Sequence, residues 1–455
     1  MERINAYLSG VILPIALLAC SVFFIVRLRG APFTHMSKFL SIMLKKRSGS
    51  GVSPIRAVIF ALAGTLGVGN IVGVASAISL GGAGALFWMW VSAFMAMILK
   101  YSEVVLAVKH RRKRNGDNYG GAQYYMTDLF AVKGKSGVGV VFTLVFTALC
   151  LLNGFTMGGM IQSNTISEAF EITLEIPRGA VAIGVAITLI IVFLGNGKRI
   201  FSFCEKLVPF VSILYTLLCL AVIIKSYAQI PTVICEIISD AFDIRAAGGG
   251  ALGFFMSRAL RYGTIRGLFS NEAGCGTAPT AHATSDTDAP CEQGFLGMLE
   301  VFIDTIVVCT LTAFVLLLNK DCLKLENPIN TVLSAFELSL GEASGVLIAL
   351  SLFFFALATI ICWGYYGKEC IYFVCKNCLA HRIYFVFFIL AVSAGAYISL
   401  DGVWQAADLA IGLMTPMNLI TLIFMNKEIV NETKQYFKKS GSQFNTCRST
   451  CALNK

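Results

Sequence analysis

Charge is scarce in this chain. Only 14% of its 455 residues are Asp, Glu, Lys or Arg, where a water-soluble protein of this length carries about a quarter. From Ala57 to Leu99 no ionisable residue occurs. Histidine is rarer still, with four residues dispersed at positions 35, 110, 282 and 381. Such dispersal does not supply the acid/base or metal constellation that a membrane-embedded enzyme needs. What remains is 56% hydrophobic. At roughly 20 residues per crossing of a ~30 Å hydrocarbon core, that supplies around ten helices and leaves little for an appended enzyme domain.

The net charge of +10 does not point to nucleic acid, because the basic residues fall in short clusters between apolar runs rather than on one domain. The fifteen cysteines do not form a disulfide framework either. Cys20, Cys150, Cys204, Cys219, Cys309 and Cys362 sit inside apolar runs and read as packing residues. Cys375 and Cys378 have a zinc-like spacing, but no second ligand pair lies at a fitting distance.

Apolar runs stand near 8–27, 55–80, 84–108, 138–160, 179–196, 204–226, 294–318, 346–366, 382–400 and 405–425, with a weaker one at 248–268 interrupted by Arg258, Arg261 and Arg266. Eleven spans with the amino terminus outside place twenty-six Lys and Arg on the inner side and six on the outer, which sets the orientation by the positive-inside rule. Deleting the weak span would put the basic carboxyl tail outside. The first run continues past Cys20 to Val26 and reads as an uncleaved span rather than a signal. The fold class expected is an all-α integral membrane protein of about eleven transmembrane helices. A peripheral first span and basic loop occupy 1–54, five-helix units 55–226 and 227–425, and a cytoplasmic tail 426–455.

Two runs are poor continuous helices. Ala63-Gly64-Thr65-Leu66-Gly67-Val68-Gly69-Asn70-Ile71-Val72-Gly73 is dense in glycine, which invites unwinding, and freed backbone at membrane depth is tolerated only where it is buried in protein or lines a cavity. Close packing through Gly69-x-x-x-Gly73 is the structural alternative. A dinucleotide fingerprint is excluded by the spacing of the glycines. The second region, Arg266 to Pro279, is polar, glycine-rich and closed by proline. It lies five spans later. Paired interruptions in two five-helix halves are the sequence pointer to an inverted-repeat secondary transporter. Half-helix ends in such a site suit a zwitterion and a cation, and Thr65, Asn70, Ser270 and Asn271 add neutral hydrogen bonds.

Within the spans, Glu103 reads as a structural partner for Lys100 or the interface. Asp304 reads as a proton relay or a brace pairing with an arginine such as Arg266. His282 reads as structural, and the basic run 109–114 as a loop retained on the cytoplasmic side.

The segments Gly64 to Ile71, Phe87-Trp88-Met89-Trp90, Gly120 to Tyr125, Arg266 to Gly276, Gln293-Gly294, Asp304-Thr305 and Trp363 to Gly367 together resemble the alanine/glycine:cation symporter family. That family is similar in fold to sodium-coupled leucine transporters. The resemblance implies symport of alanine, glycine or D-alanine with Na⁺ or H⁺, by alternating access around a midplane site and without an organic cofactor. It implies substrate contacts at Thr65, Gly67, Gly69, Asn70, Gln162, Phe269, Ser270 and Trp363. Sodium would meet the carbonyls of Ala63 and Leu66 and the hydroxyl of Thr359. The chain departs from the family pattern at Ala83 and Ala122, where proline is common, at Val68, where threonine is common, and at Ala358, where a hydroxyl often accompanies Thr359. The last departure bears on the ion. A passive channel is the remaining rival, and it would show no dependence on an ion gradient.

Overall fold

The computed structural model describes residues 5, 7–35, 42, 51–194, 197–242, 258–325 and 327–452. Its helices are α1 (Leu13–Arg27), α2 (Pro54–Thr65), α3 (Val74–Gly81), α4 (Gly84–Lys109), α5 (Ala122–Val132), α6 (Gly137–Leu174), α7 (Arg178–Phe193), α8 (Gly197–Lys225), α9 (Ile230–Ala241), α10 (Arg258–Asn271), α11 (Pro290–Leu318), α12 (Pro328–Leu340), α13 (Ala343–Val374), α14 (Cys378–Gly395), α15 (Leu400–Phe424) and α16 (Asn426–Ala452). Seven described helices are long and apolar enough to cross a membrane, and the bent pair Pro54–Thr65 with Gly69–Gly81 makes an eighth. α1 and α7 are shorter apolar helices. α10 occupies the end of the weak eleventh run, whose residues 248–257 lie outside the described ones.

Burial sorts these helices. α4 and α13 are largely enclosed, α4 packing on α10 and α11, and α13 on α2, α6 and α8. α7, α8 and α14 instead turn Ile183, Ile187, Phe210, Leu217, Val386 and Phe387 outward. A face this apolar matches lipid rather than water. Inside, the six cysteines read as packing residues are buried and unpaired, while Cys375 and Cys378 are exposed. Among the described residues no group of His, Cys, Asp and Glu is arranged to hold a metal ion.

The basic run departs from the all-helical expectation. Arg112–Arg114 and Asp117–Tyr119 pair as a short antiparallel hairpin. Asn115 and Gly116 both take positive φ, the tight turn that Asn-Gly favours between strands. Arg112 clasps Asp128 of α5 with bonds of 2.7 and 2.8 Å. The hairpin is therefore tied down, not a loose loop.

Besides Leu8–Ile12, which leads into α1, three stretches widen from α to π geometry: Gly69–Gly73, Thr156–Met160 within α6, and Phe302–Cys309 within α11. Such widened turns frequently mark functional sites, and each of these three carries or adjoins a residue of the candidate site. Between α3 and α4 the short turn is closed from α9, where Asp240 accepts the Gly84 amide at 2.7 Å.

Candidate functional site at the two helix breaks

Proline at its first turn and Ser53 accepting the Arg56 amide start α2. The helix stops at Thr65, and Leu66 turns to extended geometry. The chain resumes helical form at Gly69, bent by 57°. Two amides freed between the halves go to side chains. Gly67 N–H donates to Asn70 Oδ1 at 3.0 Å and Val68 N–H to Gln162 Oε1 at 3.2 Å. The Leu66 carbonyl accepts from Thr359 Oγ1 at 3.2 Å. Neutral amides and a hydroxyl thus replace the missing ladder, as freed backbone away from water demands.

These contacts draw four helices together. Asn70 Nδ2 donates to Ser270 Oγ at 2.8 Å and to Asp304 Oδ1 at 2.7 Å, and Ser270 Oγ donates to Asp304 Oδ2 at 2.5 Å. The Asn70 carbonyl accepts from Thr312 at 2.9 Å. On α13, Thr359 and Trp363 lie one turn apart on the same face. Trp363 is fully buried, its ring fills the space a side chain at Gly158 would need, and its indole N–H has no hydrogen-bond partner among the described residues. Gln162 follows the widened turn that carries Gly158, and its Nε2 donates to the Met157 carbonyl at 3.2 Å. Gly67 is tight, since an added Cβ would come within 2.7 Å of Thr359 Oγ1. Gly69 is open, with nothing within 4 Å of such a carbon. It faces a cavity of about 480 Å³.

Of the residues expected at the site, Gly67, Asn70 and Ser270 share one hydrogen-bond network with Asp304, while Thr359 on Leu66 and Gln162 on Val68 bind the same break through separate bonds. Ala63 and Phe269 are buried beside it. Thr65 is the exception. Its hydroxyl turns back to the Ala61 carbonyl at 3.4 Å, a bond along its own helix.

At the second break, α10 ends at Asn271 and Glu272, Gly274 and Gly276 take positive φ before a short helix, Pro279–His282. Glu103 of α4 fills the concavity so formed. Its carboxylate accepts Gly274 N–H at 2.6 Å, Gly276 N–H at 2.8 Å and Asn418 Nδ2 at 3.0 Å. Tyr125 in turn donates to Asn418 Oδ1. Backbone amides in this left-handed arrangement make a nest for an anion, and here the anion is a side chain.

Two expected pairings are corrected. Lys100 pairs with Glu300 at 3.3 Å, while Glu103 takes the nest because two converging N–H groups lie within its reach. Asp304 takes Asn70, Ser270 and Thr305, and Arg266 instead reaches Ser76 Oγ at 3.5 Å and lies over the rings of Trp404 and Phe269. His282 joins the Lys100–Glu300 pair. Gln293 Nε2 donates both to the Pro54 carbonyl and to His282 Nδ1, which leaves Nε2 as the ring's donor to Glu300 at 2.7 Å.

The fold that carries this site is that of a multi-pass membrane transporter. It superposes on the solved structure of MhsT in complex with L-phenylalanine with a TM-score of 0.58 at 13% identity, over 85% of this chain and 93% of that one. The chain belongs to the sodium:alanine symporter family, whose profile it matches over residues 1–449. It is 34% identical to the sodium/alanine symporter AgcS of Methanococcus maripaludis over 446 residues, 96% of each chain. To an uncharacterized transporter of Haemophilus influenzae it is 38% identical over 446 residues, again 96% of each. It is a transporter and not an enzyme.

Proposed function

We propose that this chain imports alanine, glycine or D-alanine with Na⁺, across a bacterial inner membrane, with the amino terminus outside. The observation that carries this reading is the first break. Its two amides are held by the neutral side chains of Asn70 and Gln162, which a bound amino acid can displace without desolvating a charge. In this reading the substrate carboxylate takes the N–H groups of Gly67 and Val68 and the indole N–H of Trp363, which has no partner among the described residues. Phe269 and Ser270 close from α10. Glycine at 67 and 69 keeps the volume small. The two units 55–226 and 227–425 would exchange access around this point.

Sodium is a hard cation held by oxygen. Thr359 Oγ1 lies 3.2 Å from the Leu66 carbonyl and 3.0 Å from the Phe355 carbonyl. If its proton stays on Phe355, its lone pair and the Ala63 and Leu66 carbonyls converge on one ion. Alanine at 358 leaves one hydroxyl there, so the affinity for sodium is expected to be low. A second reading, proton coupling, rests on Asp304, a fully buried carboxyl bonded to Ser270 and Asn70.

Labelled alanine uptake into liposomes at fixed pH, with Na⁺ or choline outside, separates these readings. Uptake should need Na⁺, fall nearly to background in Thr359→Ala, and reach half-maximum at lower Na⁺ in Ala358→Ser. Full activity in choline, driven by a pH gradient, would replace sodium with protons. Equilibration of alanine with no dependence on any gradient would indicate a channel.

A further inference from the structure

The cavity of about 480 Å³ opens off the break and extends beyond it to α6, α10, α12 and α15. Val68 and Gly69 form its floor, and its walls carry one fixed cation, Arg266, and one fixed anion, Glu168. Its size falls within the range of small-molecule sites. Both charges are anchored by their surroundings. Glu168 accepts from the side chain of Asn327. The Arg266 guanidinium carbon lies 5.3 Å from the Trp404 ring and 5.8 Å from the Phe269 ring, bridging a residue of the chamber wall and a residue of the proposed substrate site. Asp408 lies close enough to act on Arg266 electrostatically as well.

A lone cation in such a chamber would draw anions and a lone anion would draw cations. One of each, with a flat aromatic wall, complements a molecule carrying both charges on groups attached to one carbon. We propose that this chamber is a docking site for zwitterionic amino acids, adjoining the site at the break and sharing Val68 and Gly69 with it. Arg266 takes the α-carboxylate, bidentate as guanidinium geometry favours, and Glu168 takes the α-ammonium. Trp404 covers the pair. From there the amino acid passes over Gly69, where the absence of a side chain leaves the floor open. Neutral hydrogen-bonding groups at the break cannot by themselves reject an uncharged amide or a hydroxy acid as strongly as two opposed charges can. The chamber therefore supplies selection for the zwitterion. This inference rests on the proposed amino-acid transport.

Two measurements test it. In uptake assays, Arg266→Gln and Glu168→Gln should each raise the KM for alanine about tenfold or more, with turnover at saturation changed less than threefold, and Arg266→Lys should recover part of the loss. Unchanged KM in both variants would overturn the docking site, as would loss of turnover at unchanged KM, which would make Arg266 a gate. The second measurement needs no transport. Gly67→Leu fills the break, because even a Cβ there meets Thr359 and Gln162, and it leaves the chamber's lining intact. Saturation-transfer NMR on that protein in nanodiscs should still report weak contact with alanine but not with propionate or ethylamine, and adding Glu168→Gln should remove it. Contact that survives Glu168→Gln, or that propionate shares, would overturn the proposal. Glu168-dependent contact in a protein whose wild type takes up no alanine would overturn the transport reading alone.

Discussion

The two breaks solve one problem with different chemistry. At the first, amides released between α2 and α3 are met by carboxamide side chains, one from the same segment and one from α6. At the second, amides released after α10 are met by the carboxylate of Glu103, itself held by Asn418. A carboxylate taking several N–H groups in a dry interior is a strong, charge-assisted clasp, whereas each neutral bond is worth only about 1 kcal/mol net. The first break also faces the chamber through Gly69, and the second is packed by Leu17, Leu419 and Phe146 against its glycines. One break is therefore built to exchange partners and the other to stay closed on its own. Symmetry of position does not imply symmetry of role.

Three outcomes sharpen or break that contrast. The largest effect belongs to Glu103→Ala, which leaves two buried backbone N–H groups and one of the two N–H bonds of Asn418 unpaired, the other staying on the Gly274 carbonyl, and should cost more than about 3 kcal/mol. Fluorescence-detected size exclusion should show loss of the monodisperse peak, with unfolding several degrees earlier if any peak survives. A stable, transporting Glu103→Ala protein would show that the second break is as exchangeable as the first.

Asn70→Ala and Gly69→Ala come next. Both should fold, since the added methyl at 69 meets open space. Both should weaken alanine binding, Asn70→Ala by about 1–3 kcal/mol, read by scintillation proximity on purified protein. Equal yield with unchanged affinity would remove the first break from the binding site.

The smallest effect lies outside the spans, at His110. Its Nδ1 is 2.7 Å from Asp128 and its Nε2 3.0 Å from Glu428. Burial pulls the pKa of the ring down, but Glu428 and Asp128 outweigh it and hold the value above the ordinary 6.5. A raised folded-state pKa contributes stability that is complete below the unfolded value and lost as pH rises through the folded one. Thermal stability in detergent should accordingly fall slightly, by under about 1 kcal/mol for a partly exposed pair, as pH climbs above about 6.5, and His110→Ala should flatten the slope. An identical slope in the variant would mean that other groups set it.

How much of this was legible beforehand depends on the residue. Glycine density at 64–73 marked the first break because flexible backbone is a local property. The polar run 266–279 marked the second for the same reason. Asn115-Gly116 carried a hairpin signal within the basic run, although charge clustering alone reads as loop. The partners of Glu103 were not legible. A carboxylate in a helix states that something must compensate it, yet Lys100, nearby along the chain, and the Gly274 and Gly276 amides, remote along it, are equally compatible with that demand. Arg266 and Asp304 failed as a pair for a related reason: opposite charges attract, but the hydroxyl of Ser270 and the amide of Asn70 already occupy both carboxylate oxygens. Gln162 could be placed only to within one register, since the widened turn at 156–160 precedes it and shifts the helical phase.

That last feature reaches beyond this molecule. A widened turn holds one residue more than an α-helix would over nearly the same rise, and one residue corresponds to about 100° of rotation. In α11 the widened stretch Phe302–Cys309 contains both Asp304 and Thr305. A relative that lost a single residue there would keep its helix ends anchored and its hydropathy profile nearly unchanged, yet would aim a different side chain at Asn70. Alignments of this family should place one-residue gaps within these three widened stretches, and residue-by-residue transfer of roles between relatives is sound only where the widened turns coincide.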